Sequence, residues 1–599
     1  MTNPTFAFDF AVAGTTLKSN GYYNGQVLIK TWSKTKSNKV DALDGIVNGS
    51  SIDLGNGSNT ISGKATAKLQ ATKDINLVAA VGFANLGGII AGNSNDSMIG
   101  VGNAQIKYIS GGLVNLSGSV GLINLGGLID TGAGNDNISG SANAEIDHVS
   151  GSQLNVSIAL GLVNTGTIKT CSGYDTVSGK AEAEVEQAGG ALANISTALG
   201  LVNFGLIDTG TGEDKIEGIG SASVESGLGE SKITGTDIIS SIKDTISGEN
   251  TTPLSFINGA IGVGILNAGN INTGDDVDNI KGKGVAILKN GGSVSLINAA
   301  IAAGVLNSGS IDLGSGSNKI VGEAVASSSQ KQSFSFIDAG LAIGITNSNP
   351  LRLLDPKIPG AVITSVGTGT QTLEGSAKVT LTEVSICSDL PSSLVSGAAA
   401  VGIANGLDST ISLLSGKAII TGTATATADK VNSPLIGIGL AAGISNLGSI
   451  TTGAGDDIIS GIGFGSITNN NGLDLFAGIA NFGLITTGDG NDTVDALTGG
   501  FFGTGTVYLG SGNDTLKGFG CGKFDGGGGD KDLITLNNTT KNSPISYDIS
   551  SVEVDGYFHI SLSGNLNGPI QYVKGFEFIT TSTGVESFSD ICKGGTVLV

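Results

Sequence analysis

The chain has 599 residues with 99 Gly, only 9 Pro, 5% aromatic residues and a mean hydropathy of +0.23, which excludes both a collagen and a charged disordered chain, since neither carries a buried apolar set. Its 30 Lys+Arg face 51 Asp+Glu, and a formal net charge of -21 makes nucleic acid a poor partner. The single arginine, Arg352, rules out clamps built from several guanidiniums, so cations are the natural ligands of this surface.

Residues 1–47 hold the only tryptophan, Trp32, and the pair Tyr22 and Tyr23. They lie outside any repeat and are expected to cap the first coil of a repeat array. The opening "MTNPTFAFDFAVAGTTLKSN" lacks a basic segment followed by an apolar core, so a cleaved secretory signal is not expected.

Residues 48–485 repeat. "LIDTGAGNDNISG" at Leu128 to Gly140 recurs as "LIDTGTGEDKIEG" at Leu206 to Gly218 and "SITTGAGDDIISG" at Ser449 to Gly461. Aligned on its first glycine, Gly55, Gly92, Gly132, Cys171, Gly210, Gly274, Gly314, Gly453 and Gly488 form one column, most neighbours about 39 residues apart. Seven residues earlier stand Asn48, Asn85, Asn164, Asn203, Asn267, Asn307, Asn446 and Asn481, with Asn124 one residue further off. These asparagines form either a stacked amide ladder or turns of positive φ.

Between the landmarks the pattern alternates with the period of a strand. In "NISTALGLVNFGLIDTG", Ile195, Leu199, Leu201, Asn203, Gly205 and Ile207 are expected to share one side, with Val202, Phe204 and Leu206 opposite. "SGSANAEI" and "SGKAEAEV" place Gly and Ala at every other position and predict a thin core. Half-turns of about nine and eight residues suggest coils of two strands, hence two coils per repeat. Spacing fails at Ser221 to Pro253 and at Asn349 to Gly397, where Pro350, Pro356, Pro359 and Pro391 predict an inserted loop or a break in the stack. Val431 to Gly455 and Gly291 to Ile311 carry no charge, but they recur in register with the repeat and read as buried strands, not membrane spans.

At residues 486–534 the motif tightens to "TTGDGNDTV" (Thr486 to Val494) and "YLGSGNDTL" (Tyr508 to Leu516). These resemble the nonapeptide G-G-x-G-x-D-x-U-x of the RTX, or haemolysin-type calcium-binding, repeat family. The resemblance implies an all-β parallel β-solenoid or β-roll in which turn carbonyls and aspartates hold Ca²⁺ by oxygen ligation. Carried over, the metal positions are Gly488, Gly490, Asp492, Gly510, Gly512 and Asp514, with Val494 and Leu516 as apolar anchors. On the opposite edge the aspartate position reads Gly505 and Gly522, and Lys531 if Leu533 is the anchor, so calcium is expected on one edge alone. Upstream, Asp136, Asp214 and Asp457 are further candidates; Asp96, Asp175 and Asp278 keep the carboxylate, and Asn59 and Asn318 replace it. If acidic motifs come once per two coils, an upstream site bridging adjacent coils is half built. The competing reading is turn chemistry alone.

Residues 535–599, with "VDG" and "LNG" turns, read as a small module of ordinary strands. It resembles the modules that follow RTX arrays and carry an uncleaved type I secretion signal, which implies an extracellular or cell-surface protein. Cys171, Cys387, Cys521 and Cys592 form no CxxC pair, and His148 and His559 have no H-E-x-x-H around them. No G-x-S-x-G occurs either, so protease and lipase chemistry is not expected. The expected function is structural or adhesive, with self-association or surface polysaccharide as partners and no transmembrane span. The alternatives are a polysaccharide lyase or epimerase on a parallel β-helix and, more remotely, a pore-forming toxin.

Overall fold

The structure is a computed structural model that describes residues 23–24 and 39–598 apart from 50, 71–74, 111–112, 151–153, 187–192, 227–253, 292–293, 332–333, 385–392, 415, 431–435, 468–472, 537–544, 551–555, 566–567 and 592–595. Trp32, Tyr22, Cys387 and Cys592 lie outside the described residues. The fold is an all-β parallel solenoid, with a 16-stranded and a 12-stranded sheet and a third stack of short strands. One coil shows the plan. Leu154–Asn164 lies in the 12-stranded sheet, Thr167–Lys169 in the short stack and Thr176–Glu186 in the 16-stranded sheet, and Ala193–Asn203 then begins the next coil beside Leu154–Asn164.

A repeat is therefore one coil of three strands and not two coils of two. The glycine spacing that suggested half-turns marks instead the places where two backbones meet. A Cβ on Gly179 would lie 2.1 Å from the Gly200 carbonyl oxygen, and one on Gly200 would lie 2.3 Å from the Ile219 nitrogen. The two long sheets touch backbone to backbone there, and the contact divides each coil's interior in two.

On one side sits a lobe filled by large aliphatics such as Leu201, Ile207 and Ile216, on the other a thin arm filled mostly by alanines such as Ala181, Ala183 and Ala198. The thin core follows from the alternating Gly and Ala, since sheets packed on methyl groups approach more closely than the usual ~10 Å. The same crossing breaks the strand alternation. Ile195 and Leu199 face outward while Leu201, Asn203 and Ile207 are buried, so the expected common side does not exist. The phase slips at Gly200, where the register passes from Leu199↔Val263 to Leu201↔Ile265. Of the residues expected opposite, Val202 is buried and Phe204 is exposed.

The asparagines form the ladder. Asn164 Nδ2 donates to Asn203 Oδ1 at 2.8 Å, and Asn203 Nδ2 to Asn267 Oδ1 at 2.8 Å, with further bonds to the Gly205 and Asn270 carbonyls. The column continues through Asn347 and Asn405, so the proline-rich segment does not break the stack. Its Pro350, Pro356 and Pro359 leave as an insertion between Phe334–Asn347 and Val362–Ser365, with a short 3-10 helix at Pro350–Leu353, and the coil closes behind it, while Pro391 lies outside the described residues. A second ladder runs inside the thin arm from Asn76 through Asn115, Asn155, Asn194 and Asn258 to Asn298. Each rung satisfies a buried amide with its copy one coil away, and repetition in register is what makes that possible.

Replacing Asn203 by Ala strands the Asn267 Oδ1 and leaves the Gly205 N–H, which bonds Asn203 Oδ1 at 3.2 Å, with the Asn164 carbonyl at 3.3 Å. At a cost of ~1–3 kcal/mol per stranded group, amide exchange in the adjoining coils should rise by roughly tenfold or more, and unchanged exchange would show that the ladder adds nothing.

Toward the C-terminus the coils contract. The aspartate column advances by 35 residues from Asp457 to Asp492, then by 22 to Asp514 and 18 to Asp532. The stack ends in antiparallel strands, Ser546–Ile549, Phe558–Leu562 and Ile570–Lys574, of which the last pairs in parallel with Gly522–Asp525. Among the described residues no helix is long and apolar enough to cross a membrane.

Candidate metal edge

The turn that leads from the short stack into the 16-stranded sheet carries the aspartates. In "DTGAGND" the Asp130 carboxylate caps the Gly132 N–H at 3.2 Å, and Gly132 and Gly134 take φ of 76° and 149°. Cys171, which replaces the glycine one coil on, keeps a φ of 68°, and Gly55, Gly210, Gly274, Gly314 and Gly488 are left-handed as well, whereas Gly92 and Gly453 are not. The closely matching turn has Gly488, Gly490, Gly510 and Gly512 at φ of 106°, 139°, 108° and 147°. A Cβ on Gly512 would fall 1.7 Å from the Gly490 carbonyl oxygen, which only glycine allows.

The aspartate that ends each turn is buried: Asp136 is 2% exposed, Asp457 0%, and Asp492 and Asp514 1% each. Its Oδ1 accepts the backbone N–H of the equivalent residue one coil earlier, as in Asp136 N to Asp175 Oδ1 at 2.7 Å and Asp492 N to Asp514 Oδ1 at 2.7 Å. The bond is local to no turn; it staples one coil to the next. In register the column reads Asn59, Asp96, Asp136, Asp175, Asp214, Asp278, Asn318, Gln371, Ala418, Asp457, Asp492, Asp514, Asp532 and Glu577.

Because one repeat is one coil, Asp136 and Asp214 stand with Asp96, Asp175 and Asp278 on consecutive coils. The concern that upstream sites are half built falls away with the two-coil plan.

The second oxygen is the anomaly. Oδ2 of Asp96, Asp136, Asp175, Asp214, Asp278, Asp457, Asp492, Asp514 and Asp532 is buried and meets no protein donor. The threonine hydroxyl five residues earlier partly offsets that burial, as Thr170 does at Asp175 and Thr452 at Asp457, while also reaching along the axis to the Thr209 carbonyl at 3.1 Å and the Thr487 carbonyl at 2.9 Å. Burial pushes the carboxyls up from 3.8, to about 7 at Asp136, Asp214 and Asp514 and to about 6 at Asp175, Asp278 and Asp457. Neighbouring carboxylates one coil away, at the ~4.8 Å of parallel strands, add to the shift. Those six carboxyls therefore exchange protons near neutral pH.

Carboxylate and carbonyl oxygens recur along this edge, beside the Cys171 thiol and the amides of Asn59, Asn318 and Gln371, and oxygen donors suit a hard cation such as Ca²⁺. Among the described residues no three His, Cys, Asp or Glu side chains converge into a group that could hold a metal. A cation here would draw on one or two orphaned carboxylate oxygens and on the second lone pair of turn carbonyls, several of which already accept one inter-coil N–H, as Gly510 does from Gly528 at 2.7 Å.

Four members of the column escape sequence reasoning, Gln371 and Ala418, which lack a carboxylate, and Asp532 and Glu577, which carry one. Taking Leu533 as the anchor places Lys531 at the aspartate position; in the fold Ile534 is the buried anchor and Asp532 the column residue. Glu577 continues the column from the C-terminal module, its Oε2 accepting Asp532 N at 2.9 Å. The signal is present in the carboxylate, one spacer and a buried aliphatic shared by Asp492-Thr493-Val494, Asp514-Thr515-Leu516, Asp532-Leu533-Ile534 and Glu577-Phe578-Ile579. At the opposite turn Gly505 and Gly522 stack in register, and Lys523 N donates to the Gly505 carbonyl at 3.0 Å.

Arg352 and His559 lie elsewhere. Arg352 pairs with Asp408 at 2.9 Å and with the Ile358 carbonyl at 2.5 Å. The His559 ring rests edge-on against Tyr572, 4.6 Å between centroids. Compared with known proteins, the chain matches no family model, no curated protein and no solved structure.

Proposed function

We propose that this chain is a secreted structural or adhesive β-solenoid whose aspartate edge takes up calcium, with Asp492, Asp514 and Asp532 as the tightest sites. The observation that carries the reading is the column of buried carboxylates, each with one oxygen lacking a donor. Burying a carboxylate without full compensation is costly, and a bound cation compensates several at once. The contracted coils favour the C-terminal end, because there three carboxylates follow one another within 40 residues, 22 plus 18, and Glu577 stands next. The antiparallel C-terminal module and the RTX-like motifs support export and a place at the cell surface or in the extracellular matrix.

Calcium uptake is measurable by titration calorimetry on the chelator-stripped chain at pH 7.5. The variant Asp492→Asn with Asp514→Asn keeps an acceptor oxygen, as Asn318 does for the Asp278 N–H at 2.8 Å, but removes charge. It should fold without metal and lose the tightest class of sites, weakening uptake there by roughly a hundredfold or more. Absence of any calcium binding by the unaltered chain would sink the reading and leave protons as the sole compensation.

A further inference from the structure

The outer surface of the 12-stranded sheet is the largest feature that the calcium reading leaves unused. Three columns of side chains point outward from it, and a fourth does so except at Val263 and Ala303, which are buried. The first contains Ile75, Ile257, Ile297, Ile337 and Ile436, exposed by 44%, 42%, 36%, 40% and 47%. From Ile75–Asn85 to Ile436–Asn446, every residue in these columns is Ile, Leu, Val, Ala or Gly except Thr197. The opposite face of the molecule, on the 16-stranded sheet, carries exposed ion pairs such as Lys180 with Glu182 and Lys319 with Glu374. One side of the solenoid is finished for water and the other is not.

The apolar face has relief. In the second column Gly259, Ala299, Ala339 and Gly397 form a groove along the axis. Ile257, Ile297 and Ile337 rise on one side of it and Ile261, Ile301 and Leu341 on the other. A Cβ on Gly259 or Gly397 would meet nothing within 4 Å, so the groove is open space. We infer that this face is the interface with a second copy of the chain. A twofold axis running along the solenoid, between ridge and groove, sets each copy's isoleucine ridge opposite the other's groove at the same inter-coil period.

The area suffices: nine strands at ~4.8 Å and four columns across ~20 Å give on the order of 800 Å² per copy, the size of a standard stable interface. A lipid surface is the poorer occupant, since the columns contain no lysine, tryptophan or tyrosine to anchor at headgroups.

Sedimentation equilibrium of the full chain, in chelator and again in calcium, tests this apart from the metal reading, because the interface uses none of the aspartate column. The unaltered chain should be dimeric at micromolar concentration in both. Gly259→Ile with Ala299→Ile fills the groove with apolar atoms and should weaken dimerisation at least tenfold while leaving the circular dichroism spectrum unchanged. Ile257→Lys with Ile297→Lys should do the same; should that pair fail to fold, the groove-filled variant decides. A monomeric unaltered chain, a dimer indifferent to groove filling, or a monomer that co-floats with neutral phosphatidylcholine vesicles would each overturn the inference.

Discussion

In chelator, the chain melts at higher temperature as the pH is lowered from 8 to 5. The folded-state carboxyls at about 6 to 7 lie above the value of 3.8 that they take when unfolded, so the folded chain binds protons more tightly. Stability gained in this way is fully present below 3.8 and is lost as the pH rises through 6 and 7. Relief of a net charge of -21 acts in the same direction. The rise should be on the order of 5 °C or more, since several carboxyls titrate together. Calcium at pH 7.5 should reproduce much of it, because ion and proton compensate the same oxygens. Changing Asp136, Asp175 and Asp214 together to Asn should flatten the profile in chelator. A melt that falls steadily with acid would mean that these carboxylates are compensated in some other way.

Gly179→Ala should be among the most damaging single substitutions available. Its methyl would meet the Gly200 carbonyl oxygen at 2.1 Å, the Gly200 carbon at 2.7 Å and the Leu162 nitrogen at 2.9 Å, all backbone. None of these atoms can swing aside as a side chain does, and Gly140 and Gly218 hold the same crossing one coil to either side. Overpacking of this kind costs ~3 kcal/mol or more, and the loss concentrates in the coils that share the crossing. Hydrogen exchange should show protection lost over Leu154–Asn164 and Lys215–Ser226 first. Protection equal to that of the unaltered chain would show that the two sheets can part at no cost.

The parallel solenoid is legible in the sequence because its signs are repetitive: asparagines and glycines at constant offsets mean constant local structure. The size of the coil is not. Alternation along Ala193–Asn203 looks continuous, and only the crossing at Gly200, a contact with Gly179 and Ile219, reveals that the strand changes phase there. Such a contact lies between strands and leaves no periodic trace in either. The aspartate positions are legible as a motif, yet their inward turn and orphaned oxygen depend on the neighbouring coil. Asp532 is hidden by a choice between two adjacent aliphatics, Leu533 and Ile534, that burial alone separates.

The contraction of the coils gives the chain a direction in time. Bringing together residues 18 apart, as at Asp514 and Asp532, costs about 0.7 kcal/mol less in loop-closure entropy than the 39 between Asp136 and Asp175. The difference is larger against the 64 that separate Asp214 from Asp278. Each closed coil then offers the next a finished template. The array is easiest to start where its coils are shortest, among the coils that are synthesised after the rest of the array, and to extend from there toward the N-terminal coils.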